Sequence, residues 1–460
     1  MALASGGASA WADWEFTPRI SVSETYTDNV TQAPRGFERD DWITSVNPGF
    51  TLDVDGERLD LLANYDLEAL YYIDNSDGND LYHRFTADGR AELLKDRLFL
   101  DARGLYTQQI VNPEAPAALS NLFLVGNRTD VFAYSVSPYY KQEIGNLALA
   151  ELRYGYSSVD YEDEDLSDSE GNRVELLASS LPRSDGRGWV ADYAYDKLEF
   201  DDFPDARFER VTLGLRQPLT GRTSLLLGVG YEDNEFEQAP GAEDPSGFLW
   251  TVGLAWNPST LTSLEVGVGE RFFGNTYFLR FDHRTRYGTW SVRYEEDLAS
   301  TAQLEIDREL LSPTRLDETG FLERPLVGFP RITPEIFLQK LLVGSYTYER
   351  GTSRVDVDAY NVRREFEVSG DEDNETGAVA TWTWGFAPRT DLILGGRWRQ
   401  REFSDLDRVD NGYGADLSVV QEFGERASGG VGYRYYRLDS DDPTVEYRVN
   451  LLFAEYSMSF

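Results

Sequence analysis

Leu452-Phe453-Ala454-Glu455-Tyr456-Ser457-Met458-Ser459-Phe460 ends the chain. Counting back from Phe460 by twos gives Met458, Tyr456, Ala454 and Leu452. Successive side chains of a strand point to opposite faces, so these five would share one apolar stripe. A terminal aromatic at the end of such a stripe predicts the closing strand of a bacterial outer-membrane β-barrel, with its stripe turned to lipid. Hydropathy alone gives no such hint. The mean is −0.46, and no run approaches the ~18 apolar residues of a spanning helix.

Working outward, the same period recurs along the chain. Leu59, Leu61, Ala63, Tyr65, Leu67, Ala69 and Tyr71 alternate with Asp60, Asn64, Asp66 and Glu68. Leu264, Val266 and Val268 alternate with Glu265, Gly267 and Gly269, and Ala378, Ala380, Trp382, Trp384 and Phe386 with Gly377, Thr381, Thr383 and Gly385. One face is apolar and the other polar or tiny, the dyad of a transmembrane barrel. The connections alternate too. Tight turns such as Asp55-Gly56-Glu57, Thr220-Gly221-Arg222 and Asn257-Pro258-Ser259 interleave with longer polar stretches at 27–41, 110–127, 160–171, 233–245, 300–335 and 364–375. This predicts an all-β, antiparallel up-and-down barrel of about 22 strands (20–22), with short periplasmic turns, long extracellular loops and both termini on the periplasmic side. A propeller or solenoid would need an internal repeat, and none is present.

Composition agrees. The 27 Tyr, 25 Phe and 10 Trp are spread along all 460 residues, as aromatic girdles at two membrane interfaces require. No cysteine is present, which excludes disulfides and thiolate metal sites. The formal charge is −38, with only four Lys among 43 basic residues. That balance argues against nucleic acid, whose binding rests on neutralised phosphates. It permits cations, or a lipopolysaccharide layer bridged by divalent ions. Ala10-Trp11-Ala12 before Asp13 has the A-x-A form of a signal-peptidase site. Residues 1–12 are therefore expected to be a signal-peptide remnant, and 13–460 a single barrel domain.

Two segments are distinctive. Glu270-Arg271-Phe272-Phe273-Gly274-Asn275-Thr276-Tyr277 runs on through Phe281-Asp282-His283-Arg284-Thr285-Arg286 to Trp290-Ser291-Val292-Arg293-Tyr294-Glu295-Glu296-Asp297. With the opening Pro18-Arg19-Ile20-Ser21-Val22-Ser23-Glu24-Thr25-Tyr26-Thr27-Asp28-Asn29-Val30, it resembles the outer-membrane barrels associated with PEP-CTERM/exosortase systems, which are encoded near exopolysaccharide gene clusters. The resemblance implies a role in exporting or anchoring surface polysaccharide. It offers no catalytic residues.

Charge facing hydrocarbon costs several kcal/mol, so charged strand residues are expected to face the lumen. The candidates are Glu265, Arg271, Arg280, Asp282, Arg284 and Arg286, then Arg293 and Glu295, and farther along Arg397, Arg399, Arg401 and Arg434. They could cross-brace the wall in acid–base pairs. Alternatively, an arginine ladder among aromatics could guide a polysaccharide chain, since a guanidinium fork grips carboxylates and hydroxyls. The acidic run 161–170 raises Asp163, Asp165 and Asp168 as weak Ca²⁺ candidates, with a solvated acidic rim as the plainer reading. The loop over 300–335 is rich in apolar residues, including Leu310, Phe321 and Phe329. So much apolar surface predicts that it folds over the mouth or into the lumen as a gate, or packs on the outer loops. His83 and His283 are the only histidines, and no catalytic constellation, cofactor or metal site can be read. The expectation is a monomeric outer-membrane pore serving exopolysaccharide export. Its partners would be membrane lipid and lipopolysaccharide, a polysaccharide chain or small ions in the lumen, and periplasmic export proteins. A passive, weakly cation-selective porin and a sealed barrel that anchors polysaccharide or proteins are the alternatives.

Overall fold

Strand β1 (Asp13–Thr27) shows how alternation becomes a wall. Trp14, Phe16 and Val22 are exposed on one face. On the other, Arg19 donates to Asp66 at 2.6 Å and Thr51 at 2.6 Å. The computed structural model describes residues 13–460 except 117, 183–185, 243 and 307–327; the signal-peptide remnant expected over 1–12 lies outside the described residues.

Next in chain order come β2 (Asp41–Asp55), β3 (Leu59–Tyr72), β4 (Asp80–Leu94), β5 (Leu98–Ile110), β6 (Arg128–Ile144) and β7 (Ala148–Tyr161). Then follow β8 (Ser169–Ser180), β9 (Gly188–Phe200), β10 (Ala206–Pro218), β11 (Thr223–Glu235), β12 (Gly247–Ser259), β13 (Thr262–Arg271), β14 (Gly274–Arg284) and β15 (Gly288–Ala299). The last are β16 (Phe337–Arg350), β17 (Ser353–Phe366), β18 (Glu372–Ala387), β19 (Thr390–Phe403), β20 (Arg408–Glu422), β21 (Ala427–Ser440) and β22 (Tyr447–Ser459). Each pairs antiparallel with its chain neighbours in one 22-stranded sheet. β1 also pairs with β22, from Arg19 opposite Ser459 to Thr27 opposite Leu451. That pairing closes the cylinder and leaves no free edge, as a sheet in lipid requires. The expected strand number holds. So do the alternating connections, with one rim of tight turns and another of longer loops.

The outer face is apolar, and Leu452, Tyr456 and Phe460 of the terminal stripe are exposed on it. On β12, exposed Trp250 and Trp256 bracket Val252 and Leu254. Six strand residues span about 20 Å, close to the ~25 Å apolar band of outer-membrane barrels. Toward the long-loop rim the outer face turns ionic, with Lys197 2.6 Å from Glu199 and Lys340 2.8 Å from Glu365. There the strands run beyond the apolar band.

Two features of the inner face depart from a uniformly polar lining. Several inward glycines make room for a neighbouring side chain: a Cβ on Gly253 or Gly267 would collide with the ring of Phe278, and one on Gly432 with that of Phe453. Toward the long-loop rim the inner face is apolar. Ile43, Leu70, Tyr72, Tyr436, Val449 and Leu451 are buried together with Ala118, Leu122 and Phe123 of the connection between β5 and β6. Burying these groups requires something inside the barrel to cover them.

Candidate functional site

Two loops fold inward and meet in the mouth. The β5–β6 loop, residues 111–127, leans across to β1–β3 and β20–β22. Leu124 N–H donates to Val30 C=O at 2.9 Å, Tyr72 Oη to Asn121 C=O at 3.3 Å, and Arg408 to Glu114 C=O at 2.7 Å. Of the β15–β16 loop, the described residues are 300–306 and 328–336, and the first of these stretches packs against the wall of β5–β7. It begins with one helical turn, α1 (Thr301–Leu304), closed by a Ser300/Gln303 capping box, which satisfies two end N–H groups reciprocally. Ala302 packs on the inward Leu105, Val131, Ala133 and Val159. Gln303 reaches Asp196 on β9 at 2.9 Å, and Gln109 donates to the buried Glu305 at 3.2 Å. On the return, Ile332 N–H donates to Val111 C=O at 2.9 Å, and Arg331 lies 3.9 Å from Glu114. The two loops therefore touch each other as well as the wall.

The return limb is held by a buried ionic latch. Inward positions of β17, β18 and β19 bring together Tyr360, Arg364, Asp373, Glu375 and Arg401, all nearly sealed from solvent. Asp373 accepts from Arg401 at 2.8 and 2.6 Å and from Arg364 at 3.0 Å. Glu375 accepts from Tyr360 Oη at 2.5 Å and lies 3.5 Å from Arg401. The donors and acceptors left over serve the loop backbone. Gly328 N–H donates to Glu375 at 3.0 Å, Arg364 donates to Gly328 C=O at 2.7 Å, and Arg401 donates to Phe329 C=O at 3.2 Å. A Cβ at 328 would run into the Glu375 carboxylate, so either the loop or that carboxylate would have to shift.

The candidate lumen residues fall on inward strand positions with one exception. Glu265 pairs with Arg216 at 3.0 Å, and Arg271 with Glu232 at 2.6 Å and Asp297 at 3.0 Å. Arg397 and Arg434 converge on Asp416, at 3.3 and 3.8 Å, while Arg401 belongs to the latch. Arg399 lies between Arg397 and Arg401 on the same face of β19. In register, Arg280 faces Glu265 on one side and Arg293 on the other. Asp282, Arg284 and Glu295 are exposed on the same inner wall. The exception is Arg286. It sits in the tight turn between β14 and β15 and stacks on Tyr287, 5.0 Å from the ring centre, because β14 ends at Arg284, before the strand face reaches it. Counted over inward strand positions, acids outnumber bases.

Two further expectations change. Asp163, Asp165 and Asp168 do not form a cation cage: the Asp168 carboxylate accepts from Tyr161 N–H at 2.7 Å and the Asp163 carboxylate from Asp165 N–H at 3.1 Å. These acids fasten a turn, and no group of metal ligands converges among the described residues. The stretch 364–375 is mostly strand, with a connection only at 367–371; reading it as loop concealed Arg364, Asp373 and Glu375. The parity of Tyr360, Val362, Arg364 and Phe366 was the available signal. Of the gate candidates, Phe329 is at the latch, whereas Leu310 and Phe321 lie outside the described residues. The β5–β6 loop was not expected to turn inward, although its Leu122-Phe123-Leu124-Val125 run carries the same apolar signal. His83 and His283 both lie on the lipid-facing side, His83 in a chain of rings from Phe50 through Tyr65 to Tyr106 and His283 against Phe281.

Comparison with solved structures gives the same architecture. The siderophore receptor PirA from Acinetobacter baumannii superposes with a TM-score of 0.52 at 10% identity, covering 97% of this chain and 80% of that one. A point mutant of the ferric enterobactin receptor PfeA from Pseudomonas aeruginosa gives 0.53 at 10% identity, over 97% and 80%. At such identity the likeness concerns the fold alone. None of the curated proteins matches the chain. A protein-family match does, running over residues 11–273, more than half the sequence. On that match and on the closed 22-stranded wall, the chain belongs to the β-barrel family described as "Putative beta-barrel porin 2".

Proposed function

We propose that this barrel is a gated outer-membrane conduit for exopolysaccharide on its way to the cell surface. The tight-turn rim then faces the periplasm and the loop-filled mouth faces outward. The observation that carries the gate is the latch, where three hydrogen bonds to buried charged side chains hold the backbone of residues 328–329 against β17–β19. Hydrogen bonds to charged groups contribute ~1.5–3 kcal/mol each, so the latched loop is favoured yet releasable. The polysaccharide assignment rests on the resemblance of segments 18–30 and 270–297. The excess of acids along the wall supports a neutral polymer, or cations, over an acidic chain. In this reading the chain acts as a monomer amid lipid and lipopolysaccharide, with export proteins docking at the tight-turn rim.

The same acid excess favours one rival, a passive and weakly cation-selective porin. Planar-bilayer recording separates the two. Silence in the native protein, with conductance on removal of residues 305–330, supports the gate. Large steady conductance in the native protein supports the porin. A deletion strain that keeps its surface polysaccharide would remove the export assignment.

A further inference from the structure

A cavity of about 210 Å³ lies in the mouth, between the β7–β8 connection, the β9–β10 connection and the β15–β16 loop. Tyr161 and Phe200 supply ring surface, Ser167 a hydroxyl, Asp165 and Asp202 carboxylates, and Ile332 of the long loop an apolar wall. Asp165 and Asp202 are exposed and make no ion pair among the described residues, so their acceptor oxygens are open to a ligand. A cavity that admits one water needs only ~10–15 Å³; this one has room for a ring-sized molecule.

The chemistry of the lining narrows the class. An anion is disfavoured, because the neighbouring Glu162, Asp163 and Glu164 are acidic as well. A Ca²⁺ ion wants six to eight oxygens, and two carboxylates without converging partners fall short. A purely apolar ligand would leave both carboxylates unused. A neutral pyranose matches every part: its C–H face lies on an aromatic ring and its hydroxyls donate to carboxylates and to Ser167. The geometry points to a neutral-sugar subsite at the mouth, walled on one side by the gating loop. A sugar residue held there touches the β15–β16 loop, so occupancy and loop position are coupled. The inference deepens the export reading and rests on it for its physiological meaning.

The test uses the full-length protein in detergent micelles, titrated calorimetrically with neutral oligosaccharides (maltotriose, cellotriose and a mannotriose) and separately with calcium chloride. At least one oligosaccharide should bind, and Asp165→Ala combined with Asp202→Ala should weaken it at least tenfold. Both side chains are exposed, so the barrel should persist, which its resistance to SDS at room temperature verifies. No binding by any oligosaccharide, affinity unchanged in the double variant, or heat from calcium alone would overturn the subsite. The export reading is judged separately by surface polysaccharide in the deletion strain. A chain that binds sugar while that strain stays coated keeps the subsite and loses export; the converse keeps export and loses the subsite.

Discussion

Replacing Gly328 by alanine tests the latch at its tightest point. The added methyl would meet the Glu375 carboxylate, which cannot swing away without giving up Tyr360 Oη at 2.5 Å and Gly328 N–H at 3.0 Å. The loop must lift instead, and the bonds from Arg364 and Arg401 to the loop carbonyls lengthen with it. Three such bonds at ~1.5–3 kcal/mol each set an upper limit. Shared partners make them non-additive, and some will re-form with water, so a net loss of about 3 kcal/mol is expected. A change of that size moves a two-state equilibrium roughly 150-fold. The strand ladders are untouched, so global unfolding should shift little. Single-channel recording should show openings about two orders of magnitude more frequent than in the native protein. Hydrogen exchange should show lost protection at the amide of position 328. Unchanged protection would refute the latch; lost protection with unchanged opening would refute its part in gating.

Other outcomes follow from the same wall. Asp373→Ala leaves Arg364 and Arg401 buried without their shared carboxylate, which should cost about 3–5 kcal/mol in urea unfolding from vesicles and lower the temperature at which the barrel unfolds in SDS. Val266→Arg puts charge on the lipid face and should cost ~2–4 kcal/mol, whereas Glu265→Gln, one residue away on the lumen side, should cost under about 1 kcal/mol because its pair with Arg216 is half-exposed. Reversal potentials measured on the unlatched channel should show preference for K⁺ over Cl⁻; anion preference would contradict the inner-wall charge. At the rim, burial pushes the Glu367 carboxyl above its usual range, with Gln238 opposing through a hydrogen bond. The fold therefore binds this proton more tightly than the unfolded chain does. Its stabilising share is full below the ordinary glutamate value and is lost as pH rises through the raised one. Corrected exchange rates at Ala239, whose N–H donates to Glu367 C=O at 2.8 Å, should show that slope, and Glu367→Gln should abolish it.

The wall was legible in the sequence because one constraint acts at every second residue. Lipid accepts only apolar side chains, so Leu452, Tyr456 and Val266 announce their face without any knowledge of their neighbours. The mouth obeys no such local rule. Leu451 is as apolar as Leu452, yet it points inward, and only the arrival of Leu122 and Phe123 from a distant part of the chain makes that burial favourable. The latch was obscured for a related reason. Arg364, Asp373 and Glu375 flank a short polar connection, and their charge reads as loop until pairing shows that they are the ends of two strands. Arg286 erred the other way: its parity was right, but the strand stops two residues short of it.

The chain has no cysteine, so single cysteines can be placed one at a time along β19, from Leu392 to Gln400, in vesicles. A membrane-impermeant thiol reagent and a lipid-dissolved quencher should then alternate: positions 393, 395, 397 and 399 labelled from water, and 392, 394, 396, 398 and 400 quenched from lipid. Uniform labelling along the strand, or a period near 3.6, would contradict the account.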